Sequence, residues 1–151
     1  SINYPGPAGS WAAEQRAQIE AMLAYVAEKA GSQPAVILGD LNTGPALSGI
    51  SGELPENYAL LVQDGWAAPY VDQTGKCPFC GDNPLVNNPG DPKQTVLIDH
   101  VLFKGAPEGS YSSSRVLDQD VTISTSEGER TTKLSDHYGA SVTFTAAASA
   151  D

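Results

Sequence analysis

The first regular pattern along the chain is an apolar stripe that predicts one long helix. Between Ser10 and Gly31, apolar residues recur at intervals of three and four, and polar residues lie largely between them. Ser10 can cap the start of this helix, and Gly31 stands where helices commonly end. After Pro34, the apolar run Ala35–Gly39 is typical of a strand buried on both faces. The pattern therefore predicts a helix followed by a strand of one sheet.

Further along the chain the pattern is weaker. Pro, Gly, Asn and Asp are dense between the second helical region and the second strand, which indicates a long irregular excursion. We predict short helices within 46–64, the excursion over 65–93, strands over 95–103, 116–125 and 138–145, and a frayed tail over 146–151. The elements together predict an α/β (α+β) fold in which helices cover one face of a sheet, with Trp11 and Trp66 in the core.

Composition and charge limit what this domain can be. The 151 residues predict a single domain over 1–151. Eighteen acidic and eight basic residues give a net charge of −10, and 40% of the residues are hydrophobic. That balance excludes a disordered chain, and no apolar window is long enough for a membrane span. Nucleic acid is possible as a substrate but is not favoured, because phosphate contacts need clustered Lys and Arg.

The two cysteines form a single pair, Cys77 and Cys80, separated by a Pro and a Phe. A zinc ribbon would need a second such pair or two histidines, and the chain supplies no histidines other than His100 and His137. We favour a structural disulfide; reduced structural thiols, a metal site and a redox motif are the alternatives. Low Lys content with abundant small polar residues is common in secreted bacterial proteins, so we expect an extracellular or periplasmic location.

Three short segments carry the candidate chemistry: GDLN from Gly39, IDH from Ile98, and LSDH from Leu134. Asp99 lies inside an apolar strand, where a carboxylate costs several kcal/mol unless it is paired. Adjacent residues on a strand face opposite ways, so Asp99 is a better partner for His137 than Asp136 is. Asp136 would then face a metal or a water.

The turn after the first strand supplies the complementary groups. Asp40 and Asn42 are two residues apart, so a carboxylate that orients a water and an amide that donates to a developing charge can face one reacting group. Each of these residues alone could simply cap a turn, and His137 alone could be a surface histidine. The three segments together favour chemistry, whereas His100, on the face opposite Asp99, is expected to be structural.

GDLN, LIDHVLF and LSDH, in that order, resemble the second half of the endonuclease/exonuclease/phosphatase superfamily. Arg16 and Ile19 resemble that family's Arg-containing helix, and the resemblance covers roughly residues 10–145. The stretch from the Cys pair through LIDHVLFKG is more similar to the neutral-sphingomyelinase branch than to the DNA-repair branch. The resemblance implies half of a four-layer α/β/β/α sandwich, with a mixed sheet and a covering helix.

The resemblance also implies a mechanism, the hydrolysis of a phosphate ester by in-line attack of water, dependent on Mg²⁺ (or Mn²⁺ or Ca²⁺). Asp40 would orient or deprotonate the water, and Asn42 would hold a phosphoryl oxygen. His137 would contact the phosphate, with Asp99 as its orienting partner. Asp136 would lie at the metal.

The chain departs from the family upstream of the matched motifs. Family members carry an Asn, a metal-binding Glu and a His there, and none of them can be placed in this chain. We therefore expect the C-terminal half of a domain, inactive alone, whose uncovered sheet face associates with an N-terminal half or a second copy. The predicted helix, which carries Glu14, Glu20 and Glu28, should pack away from the motif turns. The alternative is a non-catalytic domain that keeps the scaffold and binds a partner.

Overall fold

The computed structural model describes residues 6–147, and its first element is the helix that the apolar stripe predicts. Helix α1 spans Trp11–Ala30. The Ser10 hydroxyl accepts a hydrogen bond from the Ala13 amide at 3.1 Å, which satisfies one of the free N–H groups of the first turn. The helix ends at Gly31, whose backbone φ of 56° is a left-handed value that suits glycine.

Short helices and seven strands follow within residues 6–147. The helical elements are α2 (Pro55–Leu61), α3 (Pro69–Thr74) and a 3₁₀ turn (Pro92–Gln94). The strands are β1 (Ala35–Asp40), β2 (Trp66–Ala67), β3 (Asp99–Lys104), β4 (Gly109–Val116), β5 (Val121–Thr125), β6 (Gly128–Thr132) and β7 (Gly139–Ala146). Within residues 6–147, none of the helices has the length and apolar character that crossing a membrane requires.

Several predicted boundaries are wrong. The strand expected over 95–103 begins only at Asp99. The strand expected over 116–125 is interrupted at Leu117, whose backbone φ of 58° is left-handed, so it divides into the end of β4 and all of β5. The excursion over 65–93 contains β2 and α3. Much of the surface of strands β4 and β6 is exposed, so their sequences lack an apolar alternation that would predict a strand.

The central sheet has the strand order β1-β3-β2, with antiparallel pairing. Helices α1 and α2 cover one of its faces, where Ile37 of β1 and Leu102 of β3 are buried. The expected α+β fold with a covering helix is confirmed. Trp66 is in this core at 8% exposure, whereas the prediction for Trp11 was wrong, since it is 53% exposed.

The opposite face of the sheet is covered unevenly. At one end, the Phe103 ring packs against Tyr111 of β4 with a centroid distance of 4.9 Å. On β1, Val36 and Leu38 are 49% and 71% exposed. The prediction that this strand is buried on both faces was therefore wrong for the described part of the chain. An apolar surface of β1, formed by Val36 and Leu38, lies open beside Asp40.

The remaining strands form two antiparallel pairs, β4 with β7 and β5 with β6. Parallel pairing within residues 6–147 is limited to an isolated bridge between Ser51 and Val96. Ala146, at the start of the predicted frayed tail, still pairs with Gly109 as the last residue of β7. Residues 148–151 of that tail lie outside the described residues.

Candidate active site

The turn after β1 presents Asp40 and is held by its own backbone. An Asp40 carboxylate oxygen accepts a hydrogen bond from the Asn42 amide at 2.8 Å, and Asn42 has a left-handed φ of 50°. This arrangement is an Asx turn, which short polar side chains favour. The turn therefore fixes the Asp40 side chain at the end of the strand, at the edge of the sheet.

Helix α1 braces this turn. The Gln15 side-chain amide donates to the carbonyl of Asn42 at 2.7 Å and to that of Leu41 at 3.2 Å. The Gln15 carbonyl in turn accepts from the Asn57 side chain of α2 at 2.8 Å. The expectation that the helix packs away from the motif turns was wrong, because its first turns lie directly against the Asp40 turn. A groove of about 510 Å³ between them is lined by Glu14, Asp40 and Asn42, among others.

His100 supports the same turn from inside the core. It is 2% exposed, its Nε2 lies 2.7 Å from the Thr43 carbonyl, and its ring stacks on Tyr58 at 5.1 Å. Burial lowers the pKa of His100, an effect that the Thr43 hydrogen bond and the Asp40 charge oppose. A neutral imidazole that donates from Nε2 fits these surroundings, which is a structural role.

Strand β3 brings the second acidic residue to the same edge. Asp99 lies directly opposite Asp40 in the β1–β3 register. An Asp99 carboxylate oxygen is 2.8 Å from Nδ1 of His137, and the two side chains are 22% and 27% exposed, respectively. Two carboxylates opposite each other destabilise a sheet, so this juxtaposition has a cost that the scaffold must offset. With Nδ1 on Asp99, Nε2 is the ring nitrogen that can face a substrate.

The electrostatics of the site follow from this crowding. Burial raises the pKa of Asp99, the hydrogen bond and charge of His137 oppose the rise, and the carboxylates of Asp40 and Asp136 add to it. Asp40, Asp136 and His137 therefore lie close enough to Asp99 for their charges to act on its carboxylate.

The segment that carries His137 is held by a residue that the sequence did not point to. The Asn83 side-chain amide, 0% exposed, donates to the carbonyls of Ser135 and Asp136 at 3.0 and 3.2 Å. The His137 amide donates to the Ser135 hydroxyl at 3.2 Å. Asn83 lies in the Pro- and Gly-rich excursion, where an Asn is an ordinary loop residue, so the sequence carried no signal for this role.

The cysteine prediction is confirmed in its favoured form. Cys77 and Cys80 form a disulfide, and the described residues hold no free cysteine. The disulfide closes a loop of four residues beside the His137 segment. The alternatives of reduced thiols and a zinc site are thereby excluded for this structure.

The metal prediction fits the described residues only in part. Between residues 6 and 147, no three or more His, Cys, Asp or Glu side chains are grouped so as to hold an ion. Asp136 offers one carboxylate, with an oxygen 3.3 Å from the Ser135 hydroxyl. Mg²⁺ needs near-octahedral oxygen coordination, so these residues alone do not form a magnesium site.

Asp40 lies opposite Asp99, and Asp99 contacts the His137 imidazole, an arrangement of carboxylates and an imidazole that is of the kind hydrolases use. A model of the endonuclease/exonuclease/phosphatase family matches residues 2–137, and the chain belongs to this family. The family is generally hydrolytic, acting as nucleases and phosphatases, and its enzymes typically use divalent metals. No curated protein and no solved structure matches the chain. The similarity to the neutral-sphingomyelinase branch stays a hypothesis.

Proposed function

We propose that this chain forms part of a hydrolase that cleaves a phosphodiester by in-line attack of water. The observation that carries the proposal is the meeting of Asp40, Asp99 and His137 at one edge of the sheet, from segments far apart in sequence. Two opposed carboxylates and a half-buried imidazole are costly to assemble, and such groups are retained where chemistry needs them. Membership of a hydrolytic family supports the same reaction class.

The roles of the residues follow from their surroundings. Asp40, exposed at the strand end, would orient the attacking water and accept its proton. His137, held through Nδ1 by Asp99, would donate from Nε2 to a phosphoryl oxygen and stabilise its developing charge. The Asn42 side chain would hold another phosphoryl oxygen from the same turn. Asp99 would accept from Nδ1–H and favour the doubly protonated ring, the form in which Nε2–H also donates.

The proposal includes a divalent cation, Mg²⁺ or alternatively Mn²⁺ or Ca²⁺. A bound cation supplies charge neutralisation at phosphate oxygens, which three neighbouring carboxylates do not. Asp136 is the ligand that we assign to this chain. The other ligands would come from an N-terminal half of the domain or from a second copy of the chain, which would cover the open apolar surface of Val36 and Leu38.

Substrate and location are proposed on separate grounds. A net charge of −10 disfavours long-range attraction to a nucleic acid, so a smaller phosphodiester or a phospholipid headgroup is the preferred substrate. The disulfide supports a secreted protein, extracellular or periplasmic, because disulfides persist in oxidising compartments.

The test measures Mg²⁺-dependent hydrolysis of bis(p-nitrophenyl) phosphate by residues 1–151, with EDTA as the control and sedimentation to report mass. We expect an inactive chain that associates, and activity when an upstream segment of the protein is added. A monodisperse monomer with metal-dependent turnover would contradict the need for a second half. Absence of turnover in every form would instead favour a non-catalytic binding domain, the alternative that the incomplete metal site supports.

A further inference from the structure

The segment 77–80, which we call the disulfide loop, lies directly against the imidazole of His137. The Phe79 ring and the His137 ring are 4.9 Å apart between centroids, at an interplanar angle of 48°. This distance is a normal aromatic contact, so the Phe79 ring packs against one side of the imidazole. The reaction proposed above assigns no role to the residues of this loop.

The disulfide loop is bonded on both sides to the segments that carry the Asp99–His137 pair. The Tyr138 amide donates to the Pro78 carbonyl at 2.9 Å, next to His137 in the chain. The Val96 amide donates to the Phe79 carbonyl at 2.9 Å, three residues before Asp99. These bonds connect the loop to the two segments that carry His137 and Asp99.

The loop itself is tightly held. Pro78 and Cys80 are fully buried, and Nη1 of Arg115 lies 3.4 Å from the Cys80 sulfur. The Arg115 guanidinium in turn packs over the Tyr138 ring at 4.4 Å. With its ends joined by the disulfide, this four-residue loop has little freedom to move Phe79 away from His137.

We propose that Phe79 is a positioning residue for His137, and that the disulfide serves to hold Phe79 in place. One hydrogen bond at Nδ1 fixes one edge of an imidazole but leaves the ring free to tilt and swing about it. The Phe79 ring blocks that motion from the side and so keeps Nδ1 on Asp99 and Nε2 directed at the substrate. The inference rests on the proposed function, because that function makes the orientation of the His137 ring matter for catalysis. The orientation itself can be measured without turnover.

The test is NMR of residues 1–151 with isotope-labelled histidine. The chain has two histidines, so His100 serves as an internal reference. We expect Phe79→Ala to speed the exchange of the His137 Nδ1 proton with water at least about tenfold, because the Asp99 bond then opens more often. Cys77→Ser combined with Cys80→Ser should have the same effect, and Phe79→Tyr, which keeps the ring, should not.

The control variant is Phe144→Ala, which removes a ring from the Phe103–Tyr111 cluster and leaves the disulfide loop untouched. It should leave the His137 exchange rate unchanged. An intact His100 Nε2–H signal shows that a variant is folded. If Phe79→Ala does not fold, Phe79→Leu is measured in its place. An unchanged exchange rate in a folded Phe79 variant would overturn the proposal, as would an equal increase in Phe144→Ala.

The activity arm separates this inference from the proposed function. In a form that hydrolyses bis(p-nitrophenyl) phosphate, Phe79→Ala should lower kcat by about 10- to 100-fold, the loss typical of removing a group that orients a catalytic residue, with little change in KM. Phe79→Tyr should restore kcat. If His137→Ala keeps full turnover, the proposed function fails, and the exchange measurement still decides whether Phe79 holds the imidazole. A Phe79→Ala effect confined to KM would contradict the positioning role.

Discussion

The stability of this protein should fall in mild acid because of one buried histidine, His100. Its Nε2–H donates to the Thr43 carbonyl at 2.7 Å, and its Nδ1 is buried without a hydrogen-bond partner. Protonation would place a second N–H at that unpartnered position, in surroundings that disfavour charge. Burial accordingly lowers the pKa of His100 in the folded protein, whereas the unfolded chain keeps the ordinary value.

The sign follows from proton binding. Below about pH 6.5 the unfolded chain binds a proton at this residue and the folded protein does not, so stability is present above that pH and is lost as the pH falls. For each pH unit over which only the unfolded chain binds this proton, the free energy of unfolding falls by about 1 kcal/mol. For a domain of this size, a loss of that order lowers the melting temperature by about 2–4 °C.

The assay is thermal or urea unfolding of the wild type and His100→Gln between pH 7 and 5.5. Glutamine does not titrate and its amide can still donate to Thr43, so the acid-dependent loss should be smaller in His100→Gln by about 1 kcal/mol per pH unit. The raised pKa of Asp99 acts with the opposite sign, since that group costs stability as the pH rises, and it cancels in the difference. Equal pH dependence in the wild type and His100→Gln would refute the reasoning.

Three further outcomes are expected. In an active form, His137→Ala and Asp40→Asn should each lower kcat at least about 100-fold in steady-state kinetics, while circular dichroism shows that the fold survives. Near-full activity of either variant would reject the assigned roles. Asp99→Asn should lower kcat with little effect on KM, and an unchanged kcat would contradict its orienting role. Thiol titration of the denatured, unreduced protein should find no free thiol from Cys77 or Cys80, and elemental analysis no zinc; two thiols or stoichiometric zinc would contradict the disulfide.

The parts of the fold that the sequence predicted are those with a strong local cause. Helix α1 has an apolar stripe with a Ser and a Gly at its ends, and β1 follows a Pro as an apolar run. Strands β4 and β6 have no such pattern, because Ser, Thr and charged residues on exposed strands look like loop sequence. The exposure of Leu38 could not be predicted from the sequence either, since an apolar run does not show which of its faces a neighbouring element covers.

The residues of the candidate site also differ in whether the sequence could predict their roles. A partner for Asp99 could be anticipated, because a carboxylate in an apolar strand demands one. Gln15 and Asn83 could not, because both bind backbone carbonyls that only the tertiary structure brings to them, 26 to 27 and 52 to 53 residues away. A Gln on a helix and an Asn in a loop are common solvent-facing residues, so nothing in their local sequence marks them.

The long sequence separations within the site also bear on how the protein folds. His137 meets Asp99 across 38 residues, and His100 meets Thr43 across 57. Closing such loops costs chain entropy before the contacts compensate for it, which slows folding in chains dominated by non-local pairs. The carboxylate–imidazole pair can therefore form only once the sheet and the His137 segment have come together. A chain cut between β3 and β7 would place Asp40 and Asp99 on one fragment and His137 on the other, so the carboxylate–imidazole pair would depend on the two fragments associating.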